Sequence, residues 1–326
     1  MADWVRRLLR TPEGLKMAYY SGSFSSMANL VASVTTALAT EGFSINGSTV
    51  AVPSAGVVTL TAGTNEVWLR VGDSGAGAAS GGAGTLVNPT PHRIAMAHPR
   101  TDWAVTFPGA YHLFVDATEV WCFARVNTDF YLWFGFGVSS VPGLSLSGLW
   151  VSASCGDVRS TDNYYGGISV SGEYQASPGY PQAPLPFWAH LGSSFPLANS
   201  FVKSGFNGEW DRSDVSCASA PFIRPMLDVA YSPNAWNSEA TLVPIRVFSA
   251  RPSGLWSLSL EAQNARHLRI TNYAPEDIIT VGPDRWMLFP WFRKNSAYNV
   301  NAFDGSTGNP QFHSGTFGVA IRYDGP

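Results

Sequence analysis

The sequence predicts a mainly β protein with antiparallel sheets in a sandwich-like arrangement, one N-terminal amphipathic helix, and long Gly/Pro/Ser-rich loops. Three observations carry that prediction. Residues 111–136, YHLFVDATEVWCFARVNTDFYLWFGF, are aromatic, β-branched and poor in helix formers. The chain of 326 residues holds 32 Gly and 22 Pro with only 13% charged residues, a composition that suits turns and many short strands. A sustained helical period occurs in one long segment, residues 25–41.

Taken in order, residues 1–16 open the chain with Trp4, Val5, Leu8 and Leu9 on one helical face, Arg6, Arg7 and Arg10 on the other, and Pro12 and Gly14 as stops. Two readings stand side by side: an arm that docks on a partner subunit or an acidic surface, with Trp4 and Leu8 as anchors, or a frayed start ahead of Met17. Ser25 and Ser26 cap the helix. Its apolar positions Met27, Leu30, Val31, Val34 and Leu38 form a single stripe, and Gly42 ends it. Short strands follow at 43–45, 49–52, 57–60 and 66–71, the first two joined by the hairpin signal Asn46-Gly47. Residues 72–84, GDSGAGAASGGAG, read as a surface loop. A phosphate-cradling loop is the weaker alternative, because no Lys-Ser/Thr follows and no helix opens after it.

Within 111–136, strands at 111–115 and 119–126 are joined by the turn residues Asp116 to Thr118. After a second polar turn, residues 130–136 run apolar on both faces, as a strand in the centre of a domain does. Residues 144–222 are rich in Ser, Gly, Pro and Tyr and read as extended loops and short strands. Long loops of that kind are interfacial or functional, and Tyr164, Tyr165, Tyr180 and Trp188 are the interface candidates there. Strand character returns at 240–248, 267–271, 277–281, 286–292 and 313–323. The organisation read from these signals is an N-terminal arm (1–16), a helix plus β-meander domain (17–150), a loop-rich interfacial segment (151–239) and a C-terminal β segment completing the sheet (240–326).

Composition also bounds function. A formal charge of −3 offers no footprint for phosphate neutralisation, so nucleic acid is not expected as the main ligand. Cys122, Cys155 and Cys217 are too far apart for a metal knuckle, and His92 and His98 match no standard zinc spacing, so no metal or cofactor is expected. No apolar run is long enough for a membrane span. No nucleophile elbow, HExxH or Walker loop is present, which points to a protein that is not an enzyme; a pair of glycosidase carboxylates distant in sequence is the enzymatic class this leaves open.

Three blocks resemble virion structural proteins of tailed bacteriophages: residues 17–43, MAYYSGSFSSMANLVASVTTALATEGF; residues 111–137, ending YLWFGFG; and residues 279–325, ITVGPDRWMLFPWFRKN through HSGTFGVAIRYDG. The resemblance implies a tail, neck or baseplate component, made in the host cytoplasm and carried in the virion. Such a component is a homo-oligomer of ring-like symmetry in contact with other phage virion proteins. The alternative from another class is a receptor-binding protein recognising host surface glycans.

Overall fold

In the computed structural model the described residues are 16–71, 92–97, 104–127, 130–144, 146–154, 200–205, 211–212, 217–218, 241–251, 255–270, 272–290 and 317–326. The order begins β1 (Ala18–Phe24), α1 (Met27–Thr40), β2 (Ser44–Asn46), β3 (Thr49–Val52), β4 (Gly56–Ala62), β5 (Val67–Val71) and β6 (His92–Met96). It continues with β7 (Gly109–Val115), β8 (Glu119–Arg125), β9 (Tyr131–Val138), β10 (Leu149–Ala153), β11 (Ser200–Val202) and β12 (Asp211–Arg212). It closes with β13 (Cys217–Ala218), β14 (Val243–Ala250), β15 (Trp256–Arg269), β16 (Ile278–Val281), β17 (Asp284–Pro290) and β18 (Phe317–Arg322).

These strands form three antiparallel sheets. The first has seven strands in the order β1-β7-β8-β9-β10-β11-β12, the second six in the order β13-β14-β15-β18-β17-β16, and the third five, β2 to β6 in sequence. The seven-stranded sheet is central because it is apolar on both faces. One face sends Leu113, Cys122, Leu132, Phe134 and Val151 against Val58, Leu60, Leu69 and Ile94 of the five-stranded sheet and against Leu30, Val34 and Leu38 of α1. The other sends Phe114, Trp121, Phe123, Tyr131, Trp133 and Trp150 against Val247, Leu260, Met287, Phe289, Val319 and Ile321 of the six-stranded sheet. The sequence 130–136 is therefore apolar throughout because each of its alternating faces meets a different layer.

Two glycines keep the aromatic layer close-packed. Trp121 pairs with Gly135, and its ring lies where a Cβ would stand, 2.5 Å from the indole Cε3. At Gly137 a Cβ would fall 2.1 Å from the carbonyl oxygen of Thr118. A side chain at either position would force the β8 backbone or its largest ring outward.

The helix matches its sequence signals closely. Ser26 is the N-cap and its hydroxyl accepts from the Asn29 N–H at 3.1 Å, the buried stripe is Met27, Leu30, Val31, Val34, Ala37 and Leu38, and Gly42 follows at φ +88°. Its outer face is unusual: Ala28, Asn29, Ala32, Thr36, Ala39 and Thr40 are exposed, and none is charged.

Three elements differ from the sequence reading. Residues 18–24 form a full edge strand that strand patterning does not announce, because Ser21, Gly22 and Ser23 interrupt the apolar run. Residues 149–153, inside the tract read as loops and short strands, are a wholly buried strand of the central sheet. Strand β15 runs over 14 residues, whereas its apolar pattern is legible only near its end. The reason is a bulge: while β14 advances from Arg246 to Pro244, β15 advances from Glu261 to Arg266, and the period of two is lost.

Candidate functional site

The six interface candidates named from sequence, Trp4, Leu8, Tyr164, Tyr165, Tyr180 and Trp188, lie outside the described residues, as do His98, Cys155 and residues 72–84. What the structure brings together is two polar joints, both between the central and six-stranded sheets. They sit at opposite ends of the face of β8 that meets the six-stranded sheet, one at Glu119 and one at Arg125, roughly 20 Å apart at about 3.3 Å per residue.

The first joint starts from the turn after β7. Asp116 Oδ1 accepts from Thr118 N–H at 2.6 Å, Thr118 Oγ1 at 2.8 Å and Glu119 N–H at 2.7 Å, an Asx turn that starts β8. Its Oδ2 accepts from the Asn264 side-chain amide. The Glu119 carboxylate, buried, accepts from the backbone N–H groups of Gln263 and Asn264 and from the Trp121 indole at 3.2 Å. Gln263 and Asn264 are bulge residues of β15, whose amides have lost ladder partners. The bulge carbonyls are met as well: Arg266 Nη1 donates to the carbonyls of Ala262, Gln263 and Ala265 at 2.8–3.0 Å, and its guanidinium lies 5.1 Å from the Trp286 ring centroid. The amides of a buried irregularity are thus met by Glu119 and its carbonyls by Arg266. Burial pushes the Glu119 carboxyl up to about 7, the neighbouring Asp116 adds to that, and the three donors pull against it.

The second joint centres on Glu276, which holds a left-handed backbone at φ +71°. Its Oε1 receives the Tyr131 hydroxyl at 2.9 Å, Arg125 Nη1 at 3.0 Å and His112 Nε2 at 3.3 Å. The other ring nitrogen of His112 bonds the Tyr19 hydroxyl at 2.8 Å, and the Tyr19 ring meets the edge of Tyr323 at 4.9 Å between centroids. Burial alone would raise the Glu276 carboxyl, but the bonds and charge of His112, the Tyr131 hydroxyl and Arg125 hold it below the usual range. The strained backbone persists because three side chains from the central sheet fix where the carboxylate sits.

On β15, beyond the bulge, His267 is fully buried opposite Val319. Neither ring nitrogen has a hydrogen-bond partner among the described residues, and burial pushes its pKa down to about 3. It is a neutral imidazole held inside an apolar layer.

No family model and no curated protein matches this chain. The joints are therefore read from their own chemistry. In each, the carboxylate is surrounded by donors from its own protein, and among the described residues no three His, Cys, Asp or Glu side chains gather as a metal site needs. Such an arrangement fixes one sheet on another. Sequence reasoning passes over Glu119, Asn264, Glu276 and His267; the available signal is a Glu opening the otherwise apolar strand EVWCFA three residues after an Asp.

Proposed function

We propose that the chain is a non-enzymatic structural component of a tailed-phage virion, in a tail, neck or baseplate assembly, acting through homo-oligomerisation and contacts with other virion proteins. The observation that carries this reading is where the three resembling sequence blocks fall. The first is β1 with α1, the second β7 to β9, and the third contains β17 and β18. Though far apart in sequence, they touch: the Met17 N–H donates to Asp324 at 2.8 Å, and Phe123 stacks on Phe289 with centroids 4.2 Å apart. The likeness thus follows a mutually packed framework, which is what a shared building block needs, and its polar residues serve as joints.

Mass spectrometry of purified particles together with labelling of the intact virion tests the reading. A fixed copy number and a position in the tail, neck or baseplate is expected, with no binding of the isolated protein to host cells. Isolated protein that binds host glycans and blocks infection would replace this reading with receptor recognition.

A further inference from the structure

We infer that β1 is a self-pairing edge, and that two copies of this chain join their central sheets through antiparallel β1–β1 pairing about a twofold axis at Ser21. The first observation is the edge itself. Strand β1 ends the central sheet, all seven of its residues pair with β7 on one side, and its other side meets no strand among the described residues. Ser21, Gly22 and Ser23 are exposed. An open edge of this length normally carries a lysine, a proline or a bulge to prevent pairing. Strand β1 has none of these.

The second observation is charge. From Met17 to Thr40 there is no Asp, Glu, Lys, Arg or His, in a chain that is 13% charged. This includes the entire solvent-facing side of α1, where an isolated helix would present charged residues. A residue on the twofold axis meets its own copy, so a charge at Ser21 would meet the same charge, and its neighbours would face the partner at short range. Glu41, which accepts from the Tyr20 hydroxyl, stands just past this stretch; the strand and the helix themselves present no charge, which suits a second copy of the same surface.

The third observation is shape. Beside β1, α1 leaves an open groove of about 380 Å³ lined by Tyr20 and Tyr111 on the sheet and by Ala32, Ser33, Thr36 and Thr40 on the helix. Small residues on that wall allow another helix to approach. A twofold axis perpendicular to the sheet keeps both helices on one face, so the partner's helix runs beside this groove. Pairing centred on Ser21 sets Tyr20 opposite Gly22 of the second copy and Tyr19 opposite Ser23, which avoids a clash of aromatic side chains across the joint.

The inference rests on the assembly reading only for its biological purpose, and its test separates the two. The full-length chain is analysed by sedimentation as parent, Ser21→Lys, Ser21→Glu and an equimolar mixture of the two variants. The parent is expected to be dimeric in the micromolar range and each single variant at least about tenfold weaker, because like charges stand directly opposite. The mixture is expected to regain the dimer. Ser21→Cys is expected to form a covalent dimer on mild oxidation, since opposed residues of an antiparallel pair lie within disulfide reach, while the parent with its native cysteines does not. A monomeric parent overturns the inference. So does a Ser21→Cys link in assembled particles to a different virion protein, which would show another chain covering the edge. Self-association unchanged by either charge sinks the inference and leaves the assembly reading standing; absence of the protein from particles sinks the assembly reading and leaves a Ser21-dependent dimer standing.

Discussion

Replacing His267 with methionine should stabilise the protein, and by an amount that depends on pH in a defined way. Its two buried ring nitrogens have no hydrogen-bond partner among the described residues. Removing unsatisfied polar atoms of this kind from an apolar layer is worth about 1–3 kcal/mol at pH 7.5, with methionine filling the space. The pH term follows from the pKa of about 3 in the folded protein. Unfolded histidine takes up a proton below about 6.5 and folded His267 does not until about 3, so parent stability is fully present above 6.5 and lost as pH falls. The loss is about 1.4 kcal/mol per pH unit, or roughly 2 kcal/mol by pH 5. Glu119 acts with opposite sign. Its folded pKa of about 7 lies above the unfolded value, so its contribution is present in acid and is lost as pH rises toward 7. Between about 4.3 and 6.5 the two slopes oppose each other, and the parent profile should be shallow there. In His267→Met the histidine slope disappears and stability should fall as pH rises through this window. Urea unfolding of parent and variant from pH 4.5 to 8 measures both terms. A stability difference that stays constant with pH, or a variant less stable than the parent at pH 7.5, would refute the reasoning about a neutral, unpartnered imidazole.

Other outcomes follow from the same packing. Trp133→Ala should cost about 3–5 kcal/mol through the cavity it opens, read from denaturant midpoints at constant m. Gly137→Ala should destabilise the protein because its Cβ meets the Thr118 carbonyl, and amide exchange in the turn after β7 should accelerate with it. Glu276→Gln should weaken the joint with Arg125 and His112; because the parent carboxyl is held low, the parent's advantage should be greatest near neutrality and shrink as pH falls through the folded pKa, in a thermal-unfolding series. Glu119→Gln should flatten the fall in stability toward pH 7 while keeping an acceptor for the Gln263 and Asn264 amides.

Much of the framework was legible in the sequence where periodicity and burial agree. The helix from Met27, the turn at Asp116 and the three strands of the meander follow from capping, turn chemistry and apolar runs, and Trp133 is buried as the two-faced pattern of β9 requires. Strand β1 was not legible, since an edge that contributes little apolar surface has no strong period. Nor was β15 before His267, where the bulge shifts the alternation part-way along and its compensation comes from Glu119, 144 residues distant from Gln263 in sequence. The joints share that cause: a carboxylate that satisfies another sheet's backbone leaves no local mark in its own segment.

The aromatic layer between the central and six-stranded sheets also sets an order of events during synthesis. Trp121, Trp133 and Trp150 have all been translated by residue 150, but the side chains that cover them, from Ile245 to Ile321, come at least ninety residues afterwards. At about 5–20 residues per second, one broad indole-rich surface stays uncovered on the ribosome for roughly 5–30 seconds. Met17 and Tyr19, among the earliest framework residues made, complete their contacts only with Asp324 and Tyr323, although Tyr19 meets His112 and Phe114 much sooner. Nascent chains of this protein should therefore be sticky until almost complete, and versions cut short before β14 should be recovered mainly as aggregates, while the half of the fold built on the five-stranded sheet has all its partners well before then.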